Sequence, residues 1–255
     1  MLSLIAAISR FKLKRLFPIL VLLVFAGCGS VEVVGTRDPK ELYDTAMTAY
    51  YREKFEESEK IFKTLMEEYP LSPYSVEAQL MLGDACYAQE KYDESSSYYT
   101  NFVALHPTHQ KAAYAMFQKG MSHFRDVLTI DRDQTATKKA LFAFQDLVST
   151  YPDSPYFEKS KEFITFLKKR LAEREFYIAY FYYKDKNYKG ALSRLRDILK
   201  EYPEAGLADK TLFYIGESYS RLGEKRLADD AFTNIITNFP ESPFAKNAKS
   251  RLKQS

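Results

Sequence analysis

Three nearly identical hexapeptides, YPLSPY at 69–74, YPDSPY at 151–156 and FPESPF at 239–244, limit this chain more than any other feature. A residue that precedes proline is driven out of the helical region, so Tyr69, Tyr151 and Phe239 each close a helix. The serines that follow, Ser72, Ser154 and Ser242, are good N-caps, and Pro73, Pro155 and Pro243 then occupy the first helical position, where a missing N–H is no loss. Each hexapeptide therefore predicts a helix stop followed by a helix start. HPTHQK at 106–111 and YPEAGL at 202–207 are looser copies. Elsewhere apolar residues recur at spacings of three and four, as in IFKTLMEEY, LFAFQDLVSTY and AFTNIITNF, with almost no alternating runs. The expected class is all-α.

The stops fall at Pro70, Pro107, Pro152, Pro203 and Pro240, separated by 37, 45, 51 and 37 residues. A helical pair repeated at a little over 34 residues points to a tetratricopeptide (TPR) array. Counting back from Pro240 places Ile235, Phe232, Ala228, Tyr219, Gly216 and Ile215 at that pattern's apolar, aromatic and small positions, and the other units match in the same way. Small residues let the two helices of a unit approach, and large ones fill the groove beside them. The pattern predicts a right-handed superhelical solenoid of about five TPR-like hairpins with a C-terminal capping helix. Composition allows it, since 46% of the 255 residues are hydrophobic and only 9 are Gly. Unit three departs from the repeat, because Gly120 and Ala140 stand 20 apart where the other units have 12, with the extra residues around LTIDRDQTAT. Residues 156–184 contain no breaker. They form either one long helix or an extra helix running into the first helix of unit four, and they separate an N-terminal half at 39–154 (units one to three) from a C-terminal half at 155–255.

The N-terminus reads differently. Arg10, Lys12, Lys14 and Arg15 precede the apolar run PILVLLVF and the small residues AG, the layout of a signal peptide over residues 1–27, and the run is short for a membrane span. FAGC resembles a bacterial lipobox, in which Cys28 becomes the N-terminus and carries a diacylglycerol and an amide-linked acyl chain such as palmitate. Gly29 follows it, not the Asp that commonly retains such lipoproteins at the inner membrane, so this resemblance implies a lipid anchor on the periplasmic face of an outer membrane. A plain secretory signal or an uncleaved anchor helix is the other reading. Without residues 1–27, 33 basic residues face 34 acidic ones, a net charge of −1. The basic excess belongs to the leader, and nucleic acid loses its support as a partner. Residues 28–38 are the lipidated N-terminus and linker.

No catalytic signature is present: there is no phosphate-cradling glycine loop, nucleophile elbow or HExxH helix. His106 and His109 in HPTH lack a third metal ligand, and Asp131 and Asp133 in DRDQ lack the glycine and distal glutamate of a calcium loop. Cys86 has the apolar neighbours of a core residue. The expectation is a non-enzyme without metal or cofactor, whose function lies in surfaces. In the TPR pattern the first helix of each unit lines the concave side. For the first three units this selects Tyr43, Met47, Tyr50 and Tyr51, then Leu80, Asp84 and Tyr87, then Tyr114, Phe117, Met121 and Phe124. For units four and five it selects Phe176, Tyr180, Tyr183 and Lys184, then Lys210, Phe213, Glu217 and Arg221. The first half reads as an aromatic trough suited to a peptide, the second as more charged and suited to a folded partner. Each ring either receives a ligand or packs against the next helix.

A lipobox, five TPR-like units, HPTH after the second, DRDQ in the third loop and FLKKRLAEREFYIAYFYYK bridging to the fourth together resemble the BamD family of the outer-membrane β-barrel assembly (BAM) machine. The resemblance covers nearly all of the chain after the leader. It implies a scaffold that binds the POTRA region of BamA through its C-terminal half and, through its N-terminal half, recognises the C-terminal targeting strand of unfolded outer-membrane proteins, with other BAM lipoproteins as further partners. On that reading Tyr43, Tyr50, Tyr51, Tyr87, Tyr114, Phe117 and Phe124 form the substrate-peptide groove. Arg194, three residues after the small Ala191, makes a charge-assisted contact with BamA, or else is a solvated helix arginine. The alternative function is another periplasmic TPR lipoprotein that organises peptidoglycan enzymes or secretin and pilus assembly.

Overall fold

Five helix ends share one backbone conformation. Tyr69, His106, Tyr151, Tyr202 and Phe239 each stand before a proline, with φ between −128° and −135° and ψ between 50° and 63°. In every case the carbonyl of that residue accepts from the N–H three positions on, at 2.9–3.1 Å, so all five copies turn the chain alike. The structure is a computed structural model that describes residues 37–253. The signal peptide, Cys28 and most of the 28–38 linker lie outside the described residues.

The described residues form eleven helices and no strand. Units one to three are α1 (Pro39–Tyr51) with α2 (Phe55–Glu68), α3 (Pro73–Ala88) with α4 (Tyr92–Leu105), and α5 (Ala112–Arg125) with α6 (Thr135–Thr150). The long α7 (Phe157–Lys184) pairs with α8 (Tyr188–Glu201) as unit four, α9 (Ala208–Arg221) with α10 (Lys225–Asn238) as unit five, and α11 (Pro243–Leu252) caps the array. Each helix packs on its neighbours in sequence, and α1 touches α3, α7 touches α9 and α9 touches α11. Among the described residues, those from Pro39 onward are one compact unit. Inside units one, two, four and five the hairpin turns through a single left-handed residue: Glu53, Glu90, Lys186 or Gly223, with φ between 60° and 80°. Only unit five places there the glycine that this conformation favours.

The core repeats with the helices. Phe62 and Leu65, Tyr99 and Phe102, Phe144 and Leu147, Leu195 and Ile198, and Phe232 and Ile235 occupy the same two positions of each second helix and are all buried. Burying side chains of this size contributes about 1.5–3 kcal/mol apiece. In units two, three and five the first residue of the pair is a ring that explains the glycine opposite it. A Cβ on Gly83 would lie 2.6 Å from the Tyr99 ring, one on Gly120 2.6 Å from Phe144, and one on Gly216 2.5 Å from Phe232. Units one and four carry Ala46 and Ala179 at this place. In units one and two the second helix adds a polar tie: Ser58 Oγ donates to the Ala46 carbonyl and Ser95 Oγ to the Gly83 carbonyl, each at 2.9 Å. Cys86 is buried in this core, and burial pushes its thiol up to about 12.

One hexapeptide departs from expectation. Ser72 and Ser242 cap α3 and α11, accepting from the N–H of Tyr74 and Phe244, with proline at the first position. Ser154 does not cap. Helix α7 starts at Phe157, and the Ser154 Oγ is buried with no hydrogen-bond partner among the described residues. The turn after Pro155 instead carries Tyr156 onto α5, where its ring stacks on Phe117 at 4.9 Å and lies 6.0 Å from Tyr114. Helix α7 itself runs unbroken for 28 residues and packs on both α6 and α8, so it is the single-helix form of the two that the sequence permits.

Candidate functional site

Of the residues selected for the first half, Asp84 and Tyr114 meet directly. This carboxylate follows the repeat glycine on α3, and its Oδ1 accepts from Tyr99 Oη at 2.6 Å and from Tyr114 Oη at 2.7 Å. Burial raises its pKa, and the two phenol hydrogen bonds only partly offset that. Gln118 Nε2 donates to Tyr114 Oη at 3.1 Å, which fixes the phenol's orientation. Tyr50 is half-buried and its hydroxyl is raised first by burial and then by the field of Asp84. Tyr43 packs on Phe62 and Tyr74 at 5.8 and 5.5 Å, and is raised by burial and then by Glu77. Glu77 in turn holds Lys111 at 2.8 Å and faces His109 Nε2 at 3.6 Å. Leu80, Met81, Asp84, Lys111, Tyr114 and Tyr156 line a concave depression of about 340 Å³ here.

The other selected rings are less available. Tyr51 is 76% exposed, with its edge toward Tyr50. Tyr87 packs on Tyr92 at 5.4 Å and accepts from Arg125 Nε at 2.9 Å. Phe117 lies among Phe144, Tyr156 and Phe163, and Phe124 between Phe163 and Phe166, so α7 takes up much of both rings at this end of the trough. The structure thus bonds Tyr114 to Asp84, sets Tyr50 in the field of that carboxylate and Tyr43 in the field of Glu77, and leaves Phe117 and Phe124 half-buried in an interhelical cluster. Glu77, Lys111, Tyr99 and Tyr156 were missed. Tyr99 was legible as the ring opposite Gly83, but nothing local announces that its hydroxyl meets Asp84.

In the second half the groove is more aromatic than expected. Tyr214 stands edge-on to Phe176, Tyr180 and Tyr183 at 5.2–5.5 Å, and the Lys210 ammonium sits 4.1 Å from the centre of the Phe176 ring. Glu217, buried, receives Arg251 Nε at 2.5 Å and Nη2 at 3.1 Å, and Tyr183 Oη at 3.2 Å. Arg194 lies on α8, 45% exposed at its side chain, with Nη1 3.1 Å from Glu175 Oε2 on α7.

The remaining candidates have structural tasks. His109 stands edge-on to Phe102 at 5.2 Å, and its Nδ1 accepts from the Lys111 N–H. Asp133 Oδ1 accepts from the Thr135 N–H at the start of α6. Glu59, Cys86 and Glu94 offer ligand atoms within 4.8 Å of one another. Burial pushes the Glu59 carboxyl up, but hydrogen bonds from Lys63, Gln89 and Lys91 override it and hold the group at about 2, so its oxygens are already committed. No helix among the described residues is long and apolar enough to cross a membrane.

Comparison with known proteins adds a family. A family model described as "YfiO: Outer membrane lipoprotein" matches residues 36–232. The outer membrane protein assembly factor BamD of Vibrio cholerae is 31% identical over 83% of this chain and 92% of its own, and that of Xylella fastidiosa strain Temecula1 is 30% identical over 82% and 75%. The Haemophilus influenzae protein of the same name is 29% identical over 89% and 91%. Among solved structures, the yeast Sti1 TPR2AB domain in complex with pHSP90 aligns with a TM-score of 0.46 at 13% identity, covering 85% of this chain and 84% of that one.

Proposed function

The chain belongs to the YfiO outer membrane lipoprotein family, in which its relatives are outer membrane protein assembly factors, and we propose that it serves as the non-catalytic, lipid-anchored scaffold of a β-barrel assembly complex. On this reading Cys28 carries the acyl chains that hold the protein at the periplasmic face of the outer membrane. The N-terminal groove receives the C-terminal segment of an unfolded outer-membrane protein, and the C-terminal half holds the POTRA region of BamA. The observation that carries it is the hydrogen bonding of Tyr99 and Tyr114 to Asp84 beside a hollow lined by Leu80, Met81 and Tyr156. Rings of this kind contribute contact area at low entropy cost, and a buried acceptor aligns the N–H groups of an extended peptide.

Arg194 is the proposed contact with BamA. Its guanidinium already meets Glu175, so an acidic group on the partner would share or replace that pair. Two measurements test the reading. Affinity purification of the full chain from solubilised membranes should return a POTRA-containing barrel protein in stoichiometric amount, and Arg194→Ala should lower that yield without changing helical content. A synthetic peptide ending in an aromatic residue should bind the full chain and lose about tenfold in affinity on Tyr114→Ala, the size of one good anchor. Peptidoglycan enzymes or a secretin as the stoichiometric partner, or peptide binding indifferent to Tyr114, would overturn it.

A further inference from the structure

The repeat itself shows what an acid at the position of Asp84 takes. Glu217 holds the same place in unit five, one residue after the repeat glycine. Arg251, 34 residues further on, covers it with Nε at 2.5 Å and Nη2 at 3.1 Å, while Tyr183 Oη donates to it at 3.2 Å. The residue 34 after Asp84 is Gln118, on α5, and its Nε2 stops at Tyr114 Oη. Asp84 thus keeps tyrosine partners, as its counterpart does, and lacks the guanidinium. Both phenols, Tyr99 and Tyr114, donate to Oδ1. Oδ2 has no hydrogen-bond partner among the described residues, yet it is not sealed from solvent.

The surroundings fit a cation. Asp84 lines the hollow together with Tyr114 and Tyr156, whose rings are 6.0 Å apart, and with Oδ1 already taken, Oδ2 is the oxygen that a ligand there meets. Tyr50 is near enough for the carboxylate to raise its hydroxyl. A guanidinium placed among such groups gains from the carboxylate and from the ring faces at once. Charge points the same way. Lys111 is the one cation among the lining residues, and Glu77 holds it at 2.8 Å, with His109 facing the same glutamate at 3.6 Å. The field of Lys111 acts on Asp84 less than burial or either phenol hydrogen bond does. Glu77 therefore balances Lys111, and the charge of Asp84 stays unmatched. A peptide carboxylate seated against Oδ2 would be repelled, whereas a basic side chain there repeats the pairing of Glu217 with Arg251.

We propose that the Asp84 site selects a basic side chain, best an arginine, carried by the peptide that occupies the N-terminal groove, with its guanidinium on Oδ2 beside the Tyr114 and Tyr156 rings. This rests on the reading of that groove as a peptide site and adds what the peptide carries. Fluorescent peptides that end in an aromatic residue, and differ only in having Arg, Gln or Glu at one scanned position, are titrated with the full chain in detergent and followed by anisotropy. At one position Arg should bind about tenfold tighter than Gln, the effect of one charge pair at an interface, and Glu more weakly than both. Asp84→Asn, whose side-chain oxygen still accepts from the phenols, should abolish the advantage of Arg over Gln. A purely structural loss would instead weaken every peptide alike, so the ratio separates the two. Equal affinities at every position, an Arg advantage that survives Asp84→Asn, or a preference for Glu that Lys111→Gln removes would overturn the proposal. If those peptides still lose affinity on Tyr114→Ala, the groove reading stands without it. Peptides that fail to bind, or bind indifferently to Tyr114, would overturn both.

Discussion

Units two and five place an acid at the same point, directly after the repeat glycine: Asp84 after Gly83, and Glu217 after Gly216. Both sit against the groove, and both accept from a tyrosine, but they are answered differently. Asp84 has two phenols and no guanidinium on it, and burial leaves its carboxyl raised. Glu217 is closed by Arg251 of the capping helix through both carboxylate oxygens. Position in the repeat thus does not decide what a groove acid does; what the rest of the array brings to it does. The same acid serves as an available acceptor in the first half and as a clasp for the cap in the second.

The clasp gives the largest expected effect. Arg251→Ala leaves Glu217 buried without its cation, and a loss of about 2–4 kcal/mol is expected, toward the low end because the arginine is half exposed. Urea denaturation measures it, and adding Glu217→Gln should recover most of the loss. Hydrogen exchange in α11 should rise first. A cost near zero would remove the distinction between the two acids.

Next come the glycines. Gly83→Ala and Gly216→Ala each drive a methyl into a ring that has no room to move, at about 1–3 kcal/mol of overpacking. Only Gly83→Ala should also disturb the groove, since it displaces Tyr99 and with it the hydroxyl on Asp84. Equal effects on peptide binding from the two variants would show that the Asp84 centre is not coupled to its own core.

The hexapeptides make a smaller, sharper test. Ser72→Ala and Ser242→Ala should each cost about 1 kcal/mol of stability as lost caps, whereas Ser154→Ala should be neutral or slightly stabilising because its hydroxyl is buried unpaired. Thermal denaturation of the three variants decides it.

The smallest effect is electrostatic. A raised folded-state pKa on Asp84 favours the neutral folded form fully below the ordinary value of 3.8, and that preference is lost as pH rises through the folded value. Asp84→Asn keeps an acceptor for both phenols and should stabilise the protein at neutral pH by about 1 kcal/mol or less. Glu59 runs the other way. Its carboxyl is held down at about 2, so the stability it contributes is complete above about 4.5 and is lost as pH falls toward 2. Following stability against pH for Asp84→Asn and Glu59→Gln should show opposite changes of slope.

Much of this was legible in the chain. Proline, the residue before it and a following serine act within a few bonds, so the five stops and two of three caps could be read locally, as could the glycine and ring that face each other 16 residues apart in units two and five. The same local logic failed at Ser154, because the turn there answers to Phe117 on another helix. It was silent on Asp84 with Tyr114, thirty residues apart, and on Glu217 with Arg251, thirty-four apart. Those partners meet only once the units have stacked, and the stacking angle is set by all the buried rings together. The sequence alone determined the five proline stops and which residues fill each hairpin, since those depend on backbone sterics and periodicity. Only the tertiary structure decided which acid is clasped and which stays open, because that depends on side chains delivered by neighbouring units.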